Sequence, residues 1–129
     1  MEAKHLPIWR DAHALVRMLH ETTRKAPRDL RYSLVQRLLD EAVELCVGID
    51  NANRVSGADR VGYIDEAQRR LVRIDVLLSI ATEHRCLSKG AAAQCMDKRD
   101  AVGRQAHGWR ASTVKTLPSR GQPEPEPST

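Results

Sequence analysis

The chain has no phenylalanine, and only two tryptophans and two tyrosines among its 129 residues. Proteins that read unpaired bases stack them on aromatic rings, so that mode of recognition is disfavoured. A core without Phe must be built from Leu, Ile, Val and Ala, the usual filling of helical bundles. Cysteine is also scarce: Cys46, Cys86 and Cys95 are odd in number and form no CxxC pair. A disulfide framework is therefore not expected, and the thiols are read as reduced, in a cytoplasmic protein.

Catalytic signatures are missing as well. The glycines at 48, 57, 62, 90, 103, 108 and 121 are isolated, so there is no glycine-rich phosphate loop, and no GxSxG occurs. The Glu-x-x-His pattern of di-metal bundles does not occur on two core-facing helices. His84 and Cys86, followed by Cys95, lack a fourth zinc ligand at a usual spacing. We therefore expect no cofactor, no metal and no enzymatic activity. No apolar run approaches a membrane span, and the opening MEAKHLPIWRD lacks the apolar core of a signal peptide. A soluble protein away from membranes is expected.

What is present is helical periodicity. After Leu6–Pro7, where proline suits a first helical turn, Ile8, Trp9, Ala12, Leu15, Val16 and Leu19 recur at three- and four-residue steps. This predicts a first helix to about Lys25, ending before Pro27. Asp29 is placed to cap a second and longest helix, with Leu30, Leu34, Leu38, Ala42, Leu45, Ile49 and Ala52 as its core stripe. Asn53 to Arg60 contains Ser56-Gly57-Ala58-Asp59 and predicts a loop. A third helix is expected over about 61–82, with Ile64, Ala67, Leu71, Ile74, Leu78 and Ala81 inward. Ser88 can cap a fourth, with Leu87 as a hydrophobic staple.

That fourth stripe is the weakest: Ala92, Cys95, Met96, Val102, Ala106 and Trp109, interrupted by Gly103 and Gly108. Glycine costs a helix about 1 kcal/mol relative to Ala, so close approach of another backbone or a partner is expected there. Short links between long helices predict an all-α, up-down-up-down antiparallel four-helix bundle over residues 1–116. The Pro- and Glu-rich segment 117–129 reads as a disordered tail.

The formal charge is +4, from 16 Arg and 5 Lys against 17 acidic residues, and residues 88–116 carry most of the excess. Arginine holds phosphate or carboxylate in a bidentate fork. Arg69, Arg70 and Arg73 fall within one turn of the third helix, and Lys98, Arg99, Arg104 and Arg110 punctuate the fourth. Arg24, Arg28 and Arg31 bracket the Ala26–Pro27 turn. If the third and fourth helices are neighbours, the first two sets merge into one cationic surface that binds polyanions with little sequence preference. Otherwise these charges serve solubility alone. His13 and His20 share a face of the first helix, read as solvent-exposed polar residues. Asp40, Glu41, Glu44 and Asp50 form either an acidic docking surface or an ordinary solvated face.

These residues together resemble a known group. The order is LPIWRDAHALV, Ala26-Pro27-Arg28 with Arg31 and Leu34, a long helix ending at Ala52-Asn53, then Arg70-Leu71-x-Arg73-Ile74-x-x-Leu77, and VGRxxxGW at 102–109. The pattern, over residues 5–113, is similar to the bacterial four-helix-bundle superfamily of Avd, the accessory variability determinant of diversity-generating retroelements. That superfamily also includes proteins encoded in intervening sequences of ribosomal-RNA genes. The resemblance implies a homopentameric, non-enzymatic accessory protein whose basic surface binds a reverse transcriptase and its template RNA during mutagenic cDNA synthesis. The alternative it implies is an interaction module of the intervening-sequence type. Arg73 matches a basic position of that family. One turn later the family can carry a second Arg, where this chain has Leu77, and Ala106-His107 stand where it is glycine-rich.

Overall fold

A computed structural model describes residues 6–118. Its elements are α1 (Pro7–Thr22), α2 (Arg28–Leu30), a π-helical stretch (Arg31–Val35), α3 (Gln36–Arg54), α4 (Gly57–Glu83) and α5 (Lys89–Lys115). α2, the π stretch and α3 follow without a break and form the second rod of a four-helix bundle. Contacts join α1 to α3, α3 to α4, α4 to α5 and α5 to α1. The backbones of neither diagonal pair approach closely, so the rods stand in a square with sequence neighbours side by side. Among the described residues there is no strand, and the all-α bundle is as expected. The expected tail falls mostly on residues 119–129, outside the described residues.

The core is aliphatic. Leu15 and Leu19 from α1, Leu38, Leu45 and Ile49 from α3, and Ile64, Leu71, Ile74 and Leu78 from α4 are essentially inaccessible. α5 contributes Cys95, Val102, Ala106 and Thr113. Steps of seven, four and seven along one helix place these smaller residues on a single seam.

Several boundaries differ from the expectation. α1 stops at Thr22 rather than near Lys25, and just beyond it the buried Thr23 hydroxyl donates to the Leu19 carbonyl at 2.7 Å. Asp29 does not cap the second rod: α2 begins after Pro27 with no side-chain cap. The π stretch has a reason in the stripe. Leu30, Leu34, Leu38 and Ala42 advance by four, and on an α-helix each such step drifts about 40°. The wider π turn takes up that drift, and it leaves Val35 buried. Arg31 holds the junction by donating from Nε to the Ala26 carbonyl at 2.9 Å.

The expected 53–60 loop shrinks to Val55 and Ser56, both extended, and α4 begins at Gly57. Gly57 has φ +61°, the left-handed region that an L side chain adopts only at a cost, and so sharp a reversal needs it. Ser88 caps α5 as expected, its Oγ accepting from the Ala91 N–H at 3.1 Å, and Leu87 beside it is buried.

Candidate nucleic-acid and partner interface

The cationic residues of α4 and α5 do not form one surface. Arg70 donates to Glu41 of α3 at 3.0 Å and lies 3.1 Å from Glu66. Arg73 reaches the same Glu41 at 3.4 Å. Both therefore face the seam between α3 and α4. Arg99 approaches Asp75 to 2.6 Å, and Arg110 approaches Asp65 to 2.6 Å, both across the seam between α4 and α5. Lys98 reaches back to Asp11 of α1 at 3.4 Å. The expected merger fails for a geometric reason: α3 and α5 pack against opposite flanks of α4, and each set of cations meets carboxylates on its own flank.

Arg69, Arg70 and Arg73 also differ from one another. The Arg70 side chain is 25% exposed and Glu41 only 16%, so this pair is part of the packing. Arg69 and Arg73 are 64% and 63% exposed. Arg69 holds only its helical neighbour Glu66, at 2.8 Å, an arrangement of small energetic weight. Between and beyond these two lie Val72 and Val76, more than half exposed, and then Ile80. The outer face of α4 thus interleaves cations with β-branched apolar groups.

Arg104 has no ionic partner among the described residues. With His107 and Arg99 it lines a groove of about 580 Å³ between α4 and α5. Gly103 belongs to the same groove. A Cβ there would meet Arg99 Nη1 at 3.0 Å, so the glycine lets the guanidinium lie along α5 and reach Asp75. The Arg99 Nε and Asp75 Oδ1 atoms are buried and close, yet neither makes a well-directed hydrogen bond. Their contact is ionic rather than directional. Burial raises the Asp75 carboxyl above its ordinary range despite Arg99. A raised acid favours the neutral form in the fold, so this contribution is lost as pH rises through the folded value. Glu66 is the reverse: the hydrogen bond from Arg69 holds it low. Its contribution is present above the usual carboxylate range and lost as pH falls through the depressed value.

Gly108 has no such reason. Nothing lies within 4 Å of a Cβ built there. Gly108→Ala is therefore expected to stabilise the isolated chain by about 1 kcal/mol through helix propensity alone. Gly103→Ala should give little or none of that gain, because it displaces Arg99. Urea unfolding of both variants checks the contrast.

The sequence offered no sign of Arg60. Its Nε donates to the Ala52 carbonyl at 2.9 Å, and its guanidinium lies 5.5 Å from the centre of the Trp109 ring. One side chain thus joins the end of α3, the start of α4 and the last turns of α5. Glu41, grouped in the sequence with other acidic residues, is the partner of Arg70 and Arg73 rather than part of a solvated face. His13 stacks on Trp9 with ring centres 3.5 Å apart and bonds the Trp9 carbonyl through Nδ1, so it is half-buried rather than solvent-exposed, whereas His20 is exposed as expected. Leu77 is buried and belongs to the core of the bundle.

The cysteines are free and buried. Burial, with Asp50 nearby, pushes the Cys46 thiol up to about 11, and burial also raises Cys86 and Cys95. All three are poor nucleophiles and poor metal ligands at neutral pH. Among the described residues no group of three or more His, Cys, Asp or Glu is arranged to hold a metal ion. No described helix is long and apolar enough to cross a membrane. No protein-family model and no curated protein matches the chain.

Proposed function

We propose that this chain is a non-enzymatic, oligomeric accessory protein that acts in the cytoplasm, binding a reverse transcriptase and its template RNA. The observation that carries this reading is the outer face of α4. Arg69 and Arg73 stand more than half exposed beside exposed Val72 and Val76, a mixture suited to a macromolecule and not to a small substrate. The guanidinium groups supply salt-dependent contacts to phosphates, and the valines supply apolar area for a protein surface. The sequence resemblance supports the choice of partner and a pentameric assembly.

A second reading, an interaction module of the intervening-sequence type, is favoured by one observation. Of the seven candidate cations Arg69, Arg70, Arg73, Lys98, Arg99, Arg104 and Arg110, all but Arg104 already have a carboxylate within ion-pair distance. Such a surface meets a protein at less cost than it meets RNA. The two readings separate in one experiment. The full chain is used to capture a reverse transcriptase of the retroelement type and its template RNA over a salt series. The leading reading expects capture at low salt, with affinity falling by a log–log slope of about −0.7 per phosphate contacted. Absence of both at low salt removes it. Solution mass then tests the pentamer.

A further inference from the structure

The end of the bundle where α1 meets the second rod and α4 meets α5 is the other place where cations gather. Lys25, Arg85 and Lys89 line a cleft of about 560 Å³ there, with Glu83 as its only acidic lining residue. Arg24, beside it, is held by Glu21 at 3.4 Å, and Asp29 is close enough to bear on Cys86. Arg28 and Arg31 flank the same end.

Two of these cations occupy positions that local physics disfavours. α4 ends in a Schellman turn: Cys86 N–H bonds the Ala81 carbonyl at 2.9 Å, and Arg85 N–H bonds the Thr82 carbonyl at 3.1 Å. The left-handed residue of such a turn is normally glycine. Here it is Arg85, φ 60°, the only non-glycine residue with positive φ among those described. Lys89 stands in the first turn of α5, where no acidic residue offsets the positive end of the helix dipole. A negatively charged partner would offset the electrostatic cost of Lys89 directly, and a contact made by the Arg85 guanidinium would offset the backbone cost that glycine avoids.

The cleft is continuous with a second depression of about 450 Å³, walled by Leu78, Ala92, Ala93 and Met96. The two share Thr82, Glu83 and Lys89. No aromatic ring lines either, so nothing there stacks a base. An apolar groove with an adaptable methionine suits aliphatic side chains. Charge complementarity across both depressions selects one occupant. We propose that this end docks an acidic amphipathic peptide segment of a protein partner, its apolar residues in the Met96 groove and its carboxylates on Lys25, Arg85 and Lys89. Glu83, between the two, rejects a carboxylate directly opposite and so sets the register. This inference does not rest on the RNA reading of α4.

The test is a fluorescence-anisotropy titration of the full chain with a labelled helical peptide carrying Leu on one face and Glu elsewhere. A version with Lys for Glu, and labelled oligouridylate, serve as comparisons. The Glu peptide should bind, and Arg85→Gly with Lys89→Gln should weaken it at least tenfold. Met96→Lys should do the same. Arg85→Gly relieves the left-handed arginine, so its melting temperature should rise, and its loss of binding cannot come from unfolding. Three results would overturn the proposal: no binding of the Glu peptide, equal binding of the Lys peptide, or indifference to the Arg85 and Lys89 changes. Oligouridylate that displaces the peptide, with an affinity that depends on Lys89 and not on Met96, would make the end a phosphate site and overturn it equally.

Discussion

Arg70→Glu is expected to destabilise the bundle by about 2 kcal/mol, whereas Arg69→Glu with Arg73→Glu should leave the fold intact and weaken the proposed RNA binding ten- to a hundredfold. The difference follows from what each guanidinium touches. Arg70 lies between Glu41 and Glu66, at 3.0 and 3.1 Å, in a partly buried seam. Reversing it places a third carboxylate against two others, one of them nearly buried. The cost is below that of a fully buried pair because a quarter of the arginine still meets solvent. Arg69 and Arg73 extend outward, and their reversal changes the field an RNA meets more than it changes packing. Chemical denaturation and salt-dependent RNA titration on the same two variants read the two effects apart. Equal loss of stability in both, or unchanged RNA affinity in the double variant, would contradict this assignment.

The second large effect is at Trp109. Trp109→Ala is expected to cost about 2–3 kcal/mol, at or below the low end for a core aromatic, because the ring is half-buried and not enclosed. The loss has two parts. The ring packs on the core at the last turns of α5, and it also supports Arg60, whose Nε reaches the Ala52 carbonyl. Removing the ring frees Arg60 and loosens the end of α3. Arg60→Ala should therefore lose part of the same energy, and the double variant should cost less than the two single changes added together. Strict additivity in thermal or urea unfolding would show that the two side chains act separately.

The helices were legible because a period near 3.6 in Leu, Ile, Val and Ala survives any choice of neighbour. Ile64, Ala67, Leu71, Ile74 and Leu78 are buried as their spacing requires. Ser88 was legible as a cap for a similarly local reason, since its hydroxyl answers an N–H three residues away. The 53–60 segment is a shorter loop than its Ser56-Gly57-Ala58-Asp59 run implies, because the left-handed φ of Gly57 lets a two-residue reversal start α4 at once. The π stretch was visible only as a stripe that steps by four too often.

The interface was least legible. Three arginines within one turn look equivalent in a sequence, yet Arg70 is structural while Arg69 and Arg73 are exposed. Gly103 and Gly108 also look alike, yet one accommodates Arg99 and the other faces open space. Arg60 carried no local signal, because both of its partners come from other helices.

The sequence by itself therefore determined an all-α bundle of aliphatic core, its four rods and their order, since these depend on period, caps and link lengths. Only the tertiary structure decided which cations remain free. Charge is counted along the chain, but it is neutralised across space, by Glu41, Asp65 and Asp75 on helices that meet only after folding.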